Sequence, residues 1–239
     1  MRRFTTVLAG AVLLIAGSLA VKYSVGHASG GLPCDGRPHT LDGTPGDDVL
    51  VGTNGDDVIF GNGGNDVVKG KGGNDCIVTG DGNDTIYGGP GDDRITDSGG
   101  NNIVSGGEGN DLIIMTGNGD DRIDGDKGID TIIDFGGNNI INGGECDDYI
   151  VSGRGNDIIS GGDKDDRIYD FGGTNRIEGN ADNDLITLIN DDGTSIIDGG
   201  FGCDTCSTNP KLSSISSCEQ FCGPVGPPDC RTEDVFDED

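Results

Sequence analysis

Between residues 43 and 207 an aliphatic side chain returns at one fixed place in a nine-residue period, and nothing else in the chain restricts its fold so strongly. The clearest units are Gly52-Thr-Asn-Gly-Asp-Asp-Val-Ile-Phe60, Gly88-Gly-Pro-Gly-Asp-Asp-Arg-Ile-Thr96 and Gly106-Gly-Glu-Gly-Asn-Asp-Leu-Ile-Ile114. Laid end to end, 18 units start at 43, 52, 61, 70, 79, 88, 97, 106, 116, 125, 134, 143, 152, 161, 170, 179, 190 and 199, with one extra residue before 116 and two before 190. Their eighth position holds Leu50, Ile59, Val68, Ile77, Ile86, Ile95, Val104, Ile113, Ile123, Ile132, Ile141, Ile150, Ile159, Ile168, Ile177, Ile186 and Ile197, and departs from aliphatic only at Cys206. A flexible acidic linker has no reason to keep that pattern.

The remainder of each unit is mostly Gly and Asp. The 239 residues include 47 Gly and 43 acids, of which only Glu108, Glu145, Glu178, Glu219, Glu233 and Glu238 are Glu, leaving 37 Asp. Gly and Asp are poor helix formers, and Trp is absent, so a helical bundle or a large aromatic core is excluded. A net charge of -28 excludes nucleic acid as a natural partner and points to cations. His27 and His39 are the only histidines, which leaves His-based metal or triad chemistry almost nothing to work with.

The units follow G-G-x-G-x-D-x-U-x, and over residues 43 to 207 the chain resembles the RTX family of hemolysin-type calcium-binding repeat proteins. The resemblance implies an all-β fold, a right-handed parallel β-roll in which six residues form a turn, three form a short strand and two units complete a coil. Eighteen units then make about nine coils. It also implies calcium ions between stacked turns, held by backbone carbonyls and by the sixth-position carboxylates. Those are Asp48, Asp57, Asp66, Asp75, Asp84, Asp93, Asp111, Asp121, Asp130, Asp148, Asp157, Asp166, Asp184 and Asp204. The residue types agree independently. Gly supplies positive φ and lets carbonyls approach an ion, Asp is a short, hard oxygen ligand, and Glu reaches too far for so tight a turn.

If two units make a coil, even and odd units stack on opposite sides, and the sequence does differ by parity. Every even unit has Asp at its sixth position, whereas odd units also carry Asn102, Asn139, Asn175 and Ser195. An unbroken calcium ladder is expected on the even edge and a patchy one on the odd edge. Three odd units place Asp first instead: Asp97, Asp134 and Asp170. They read either as an altered ion site or as a turn closed by Asn and Asp hydrogen bonds without metal.

The ninth position should point outward if the eighth points in. Even units show Phe60, Val78, Thr96, Ile114, Ile133, Val151, Tyr169 and Thr187, while most odd units show polar residues such as Lys69, Ser105, Asp124 and Asn142. The even face is thus expected to be an apolar strip, explained by β-propensity or by packing on a protein partner, a second copy or a segment of this chain through Phe60, Val78, Ile114, Ile133, Val151 and Tyr169.

Calcium is expected to control folding. Adjacent coils lie about 4.8 Å apart, which brings like-charged Asp within one strand spacing, and bound calcium removes that repulsion only in the folded state. The repeat region should be disordered without calcium and a rod of about 40 Å with it.

Residues 1–28 read as a signal peptide, with Arg2 and Arg3 before the apolar Val7 to Val21 and cleavage after Ala28, or alternatively Ala20. No stable membrane insertion is expected after cleavage. Residues 29–42 read as an N-terminal cap or linker and 208–239 as a Cys-rich cap with an acidic tail. Eight cysteines in a secreted chain favour disulfides over zinc, although Cys203-x-x-Cys206 with Cys218 and Cys222 admits a zinc reading, and the pairing stays open. Family members are usually exported by an uncleaved C-terminal signal and carry toxin, protease or lipase domains. This chain shows an N-terminal signal instead and no room for a catalytic domain, so no enzyme activity is expected. The leading expectation is a secreted, calcium-binding structural, adhesive or spacer protein. Ice binding is disfavoured by the irregular third position (Pro45, Asn54, Gly63, Gly72, Asp81), mineral binding stays open, and an accessory role to an enzyme or toxin is the remotest reading.

Overall fold

The computed structural model describes Cys34 and residues 36–189, 194–207, 214–216 and 218. The signal-peptide reading, and that of the tail beyond Cys218, lie outside these residues.

Within each unit the seventh to ninth residues form a strand, and side-chain alternation decides which one is inside. Val67, Val68 and Lys69 are half-buried, buried and exposed in turn, and the eighth-position aliphatics are buried from Leu50 to Ile197. Even units supply one ten-stranded sheet, from Leu41–Asp42 to Thr205–Ser207; odd units supply the other, from Val49–Val51 to Ser214–Ser216. All pairings are parallel and skip one strand in sequence, so Ile59 lies beside Ile77, and Ile86 beside Val104. The chain therefore winds as a β-roll of about nine coils, and the inner columns of the two sheets make one continuous core. No helix occurs among the described residues.

The extra residues leave this register intact. Leu112–Met115 is a four-residue strand whose Met115 lies beside Asp97 and Asp134 and is buried in the core; Leu188 pairs with Asp170 and is buried likewise. Where the sequence has an insertion, the inward-facing column gains an apolar side chain and the turn takes up the slack.

Both ends are tied. Cys34 bonds to Cys76, and with Val58, Val78 and Phe60 it forms a small second core on the outer face of the even sheet. His39 stacks on Phe60 at 4.1 Å between centroids, and Thr40 donates its amide and its hydroxyl to the Val58 carbonyl. At the other end, Cys206 bonds to Cys218, and residues 214–216 extend the odd sheet past the last repeat, with Ile215 in register with Ile197. Cys146 and Cys203 are also disulfide-bonded, which removes the zinc reading of Cys203 and Cys206.

The outer faces differ in part from expectation. Phe60 and Val78 of the even strip are covered by the chain's own N-terminal segment. Ile114, Ile133, Val151 and Tyr169 are only half-buried, and Tyr169 packs on Tyr149. The odd face is less polar than its ninth position implies, because the seventh position also points outward and exposes Ile103, Ile140, Ile158 and Ile196.

Candidate metal sites in the turns

The turn backbone explains the repeat consensus. Its second and fourth positions take positive φ: Gly89 (115°) and Gly91 (134°) in one unit, Gly107 (122°) and Gly109 (129°) in another. Most L-residues resist that region, so glycine recurs there. The first position has a different reason to be glycine. A Cβ on Gly88 would stand 2.3 Å from Asp93 Oδ2 and 2.5 Å from the Gly106 carbonyl oxygen of the next coil. The same two oxygens meet over Gly70 (2.2 and 2.5 Å), Gly143 (2.4 and 2.4 Å) and Gly179 (2.2 and 2.3 Å). A carboxylate and a carbonyl oxygen thus converge over a glycine that has no room for a side chain, and this arrangement repeats along the even edge.

The sixth-position side chains line this edge as a ladder. Each Oδ1 accepts the backbone N–H of the Asp one coil earlier: Asp57 to Asp75 at 2.7 Å, Asp75 to Asp93 at 2.8 Å, Asp93 to Asp111 and Asp111 to Asp130 at 2.7 Å. It continues from Asp130 to Asp148 (2.7 Å), Asp166 (2.8 Å), Asp184 (2.9 Å) and Asp204 (2.9 Å) without a gap. All nine side chains are buried. In the seven from Asp75 to Asp184 the second oxygen, Oδ2, has no hydrogen-bond donor.

Burial first, and repulsion from stacked neighbours after it, push these carboxyls up against the lowering effect of the backbone N–H. Asp75 rises to about 6, Asp111 to about 7, and Asp93, Asp130, Asp148, Asp166 and Asp184 to about 8. A row of buried anions without cations is unstable, and buried charge requires a compensating partner. The first coil differs. Burial acts to raise Asp57 as well, yet the Thr53 amide (2.5 Å) and hydroxyl (3.0 Å) bind its Oδ2 and hold it below the usual carboxylate value. Asp48 is bound in the same way by Thr44.

On the odd edge the hydrogen-bond ladder is as continuous as on the even edge. Asp48 leads to Asp66 and Asp84, then to Asn102, Asp121, Asn139, Asp157, Asn175 and Ser195, because an amide or hydroxyl oxygen accepts the same N–H. What changes is the charge. In two of the three Asp-first units the Asn amide donates to the first-position carboxylate: Asn102 to Asp97 at 2.9 Å and Asn175 to Asp170 at 2.7 Å.

Sequence reasoning overlooked a further row. Fifth-position Asn and Asp side chains accept amide protons from the following coil, as Asn65 does from Asn83 (2.9 Å) and Asn138 from Asn156 (2.9 Å). The signal was visible as recurring Asn or Asp before the sixth position, in Asn74, Asn83, Asp92, Asn101 and Asn110.

The donors that converge on each even-edge turn are both oxygen, one carboxylate atom and one carbonyl of the next coil, which suits a hard cation such as calcium. No group of three or more His, Cys, Asp or Glu side chains that could hold a metal ion converges among the described residues. Fold and turns together define a calcium-binding parallel β-roll. The RTX calcium-binding nonapeptide repeat model matches residues 42–75, 78–113, 113–132, 129–159 and 151–186, and the chain belongs to that family. The matches stop short of the last two repeats, although the strands Ile196–Phe201 and Thr205–Ser207 continue the roll. No curated protein matches the chain.

Proposed function

We propose that this protein is exported through a cleaved N-terminal signal, folds when it meets calcium outside the cell and acts there as a non-enzymatic rod, a spacer or adhesive module. The observation that carries the reading is the run of donorless Oδ2 atoms from Asp75 to Asp184, each of which meets a carbonyl oxygen of the next coil over a glycine, so that two oxygen ligands converge at every turn. Calcium bound there converts the main source of repulsion in the roll into its main cross-link. The sixth-position Asp residues are its side-chain ligands in this reading, strongest in the even row. Disulfides at both ends support an oxidising, extracellular setting. The only histidine among the described residues, His39, is engaged by Asp42 at 2.7 Å and by Phe60, which supports a structural rather than catalytic role.

The test is a calcium titration of the secreted protein followed by circular dichroism, with N-terminal sequencing of the exported chain. At about pH 8, a β-type spectrum that appears only with calcium, on a chain starting at Ser29 or Val21, is the expected result; a β-type spectrum persisting at that pH in excess chelator refutes calcium-dependent folding.

A further inference from the structure

The odd edge alternates in a way the even edge does not. From the third odd unit onward, a turn with Asp at the sixth position (Asp84, Asp121, Asp157) is followed one coil later by a turn with Asp at the first position and Asn at the sixth (Asp97 with Asn102, Asp134 with Asn139, Asp170 with Asn175). The first-position Asp falls where the even edge has glycine. There it faces the sixth-position Asp of the coil before: Asn102 accepts the Asp84 N–H at 2.8 Å and donates to Asp97 at 2.9 Å, Asn175 accepts the Asp157 N–H at 2.7 Å and donates to Asp170 at 2.7 Å, and the side chains of Asp121 and Asp134 interact across the coil. Negative charge on this edge is therefore gathered in twos, one pair every second coil.

Hydrogen bonding satisfies only part of these pairs. Asp97 is held by Gly99 N–H (2.8 Å), Asn102 Nδ2 (2.9 Å) and Thr79 Oγ1 (2.5 Å), and Asp157 Oδ2 accepts the Ser152 hydroxyl. Asp84 Oδ2 and Asp134 Oδ2 have no donor, although each side chain is only 1 % exposed and faces its partner carboxyl. Asp84, Asp97, Asp121 and Asp134 take part in none of the ion pairs among the described residues. Two buried carboxylates face to face, with an atom of one left unsatisfied, call for a cation between them.

We propose that the odd edge carries two divalent-cation sites of a second kind, each bridged by two carboxylates from neighbouring coils: Asp84 with Asp97, and Asp121 with Asp134. Resting on the calcium reading above, this resolves the Asp-first repeats at Asp97 and Asp134 as relocated halves of a site begun in the preceding coil. The all-oxygen surroundings, with the Thr79 hydroxyl beside Asp97, select a hard ion of the calcium class. Two charges per site match one divalent ion, whereas an even-edge turn supplies one carboxylate per coil.

Equilibrium dialysis of calcium against the secreted chain tests this. Asp134→Asn, which keeps side-chain shape, is expected to lower the number of bound ions by one, and the combined Asp97→Asn, Asp134→Asn variant by two. An unchanged ion count in a combined variant that still shows the β-type spectrum overturns the proposal and leaves a shared proton in each pair. If that variant fails to fold, anomalous scattering from terbium-loaded wild-type crystals decides: peaks between Asp121 and Asp134 support the pair sites, and peaks at the even turns alone overturn them. A wild-type chain that binds no calcium fails at the even edge as well, which separates loss of the underlying reading from loss of this one.

Discussion

A glycine in this roll has one of two duties, and substitutions tell them apart. At the first position no side chain fits, so Gly88→Ala forces a methyl against Asp93 Oδ2 and the Gly106 carbonyl. Overpacking of this kind costs about 1–3 kcal/mol and should also block one ion site, whereas Gly46→Ala, whose nearest contact is Thr44 Oγ1 at 3.9 Å, should change neither stability nor ion count. Thermal unfolding with and without calcium reads both effects. At the fourth position of most later units, unlike Gly46, glycine supplies conformation, and Lys164 occupies such a place at φ 88°. Its ion pair with Asp182, 3.8 Å long and half exposed, offers little in return. Because left-handed backbone costs an L-residue roughly 1–2 kcal/mol, Lys164→Gly should stabilise the protein by about 0.5–1 kcal/mol net of glycine entropy, seen as a higher melting temperature.

At the scale of an element, the even ladder turns buried charge into a pH response. In the metal-free chain the folded carboxyls of Asp93, Asp130, Asp148, Asp166 and Asp184 lie at about 8, above the ordinary value of 3.8 that they resume on unfolding. The folded state therefore binds more protons between these limits, and its stability falls as pH rises through them. Chelator-treated protein should gain β-type circular dichroism near about pH 5 and lose it by about pH 8, while excess calcium should reverse the preference by competing with protons. A metal-free signal that strengthens from about pH 5 to about pH 8 would contradict this. Only half of this element was legible in the sequence. That every even unit has Asp at its sixth place could be read by eye; that one oxygen of each bonds to the neighbouring coil while the other is left to an ion depends on turn dihedrals that the residue names do not contain.

The whole molecule is a stack whose lateral faces remain to be matched with neighbours. The N-terminal segment covers the even face at Val58, Phe60 and Val78, anchored by Cys34–Cys76, and thereby shows that this face accepts an apolar covering. Ile114 and Ile133 continue the same strip half-exposed. Replacing both with Lys should leave the calcium-dependent spectrum intact and reduce self-association measured by sedimentation; unchanged association would leave β-propensity as the reason for these residues.

Period, aliphatic column and parity were set by the sequence alone, because each depends on spacing within a unit, and spacing survives any arrangement that stacks the units in register. The partners across coils were decided by the tertiary structure. Asp84 and Asp97, Asn65 and Asn83, or Cys34 and Cys76 meet only once the chain has wound through a full turn and the dihedrals of that turn have aimed each side chain. The Asp-first repeats show the difference most clearly. In the sequence they are exceptions to a motif, and in the roll they sit against the carboxylates of the coil before them.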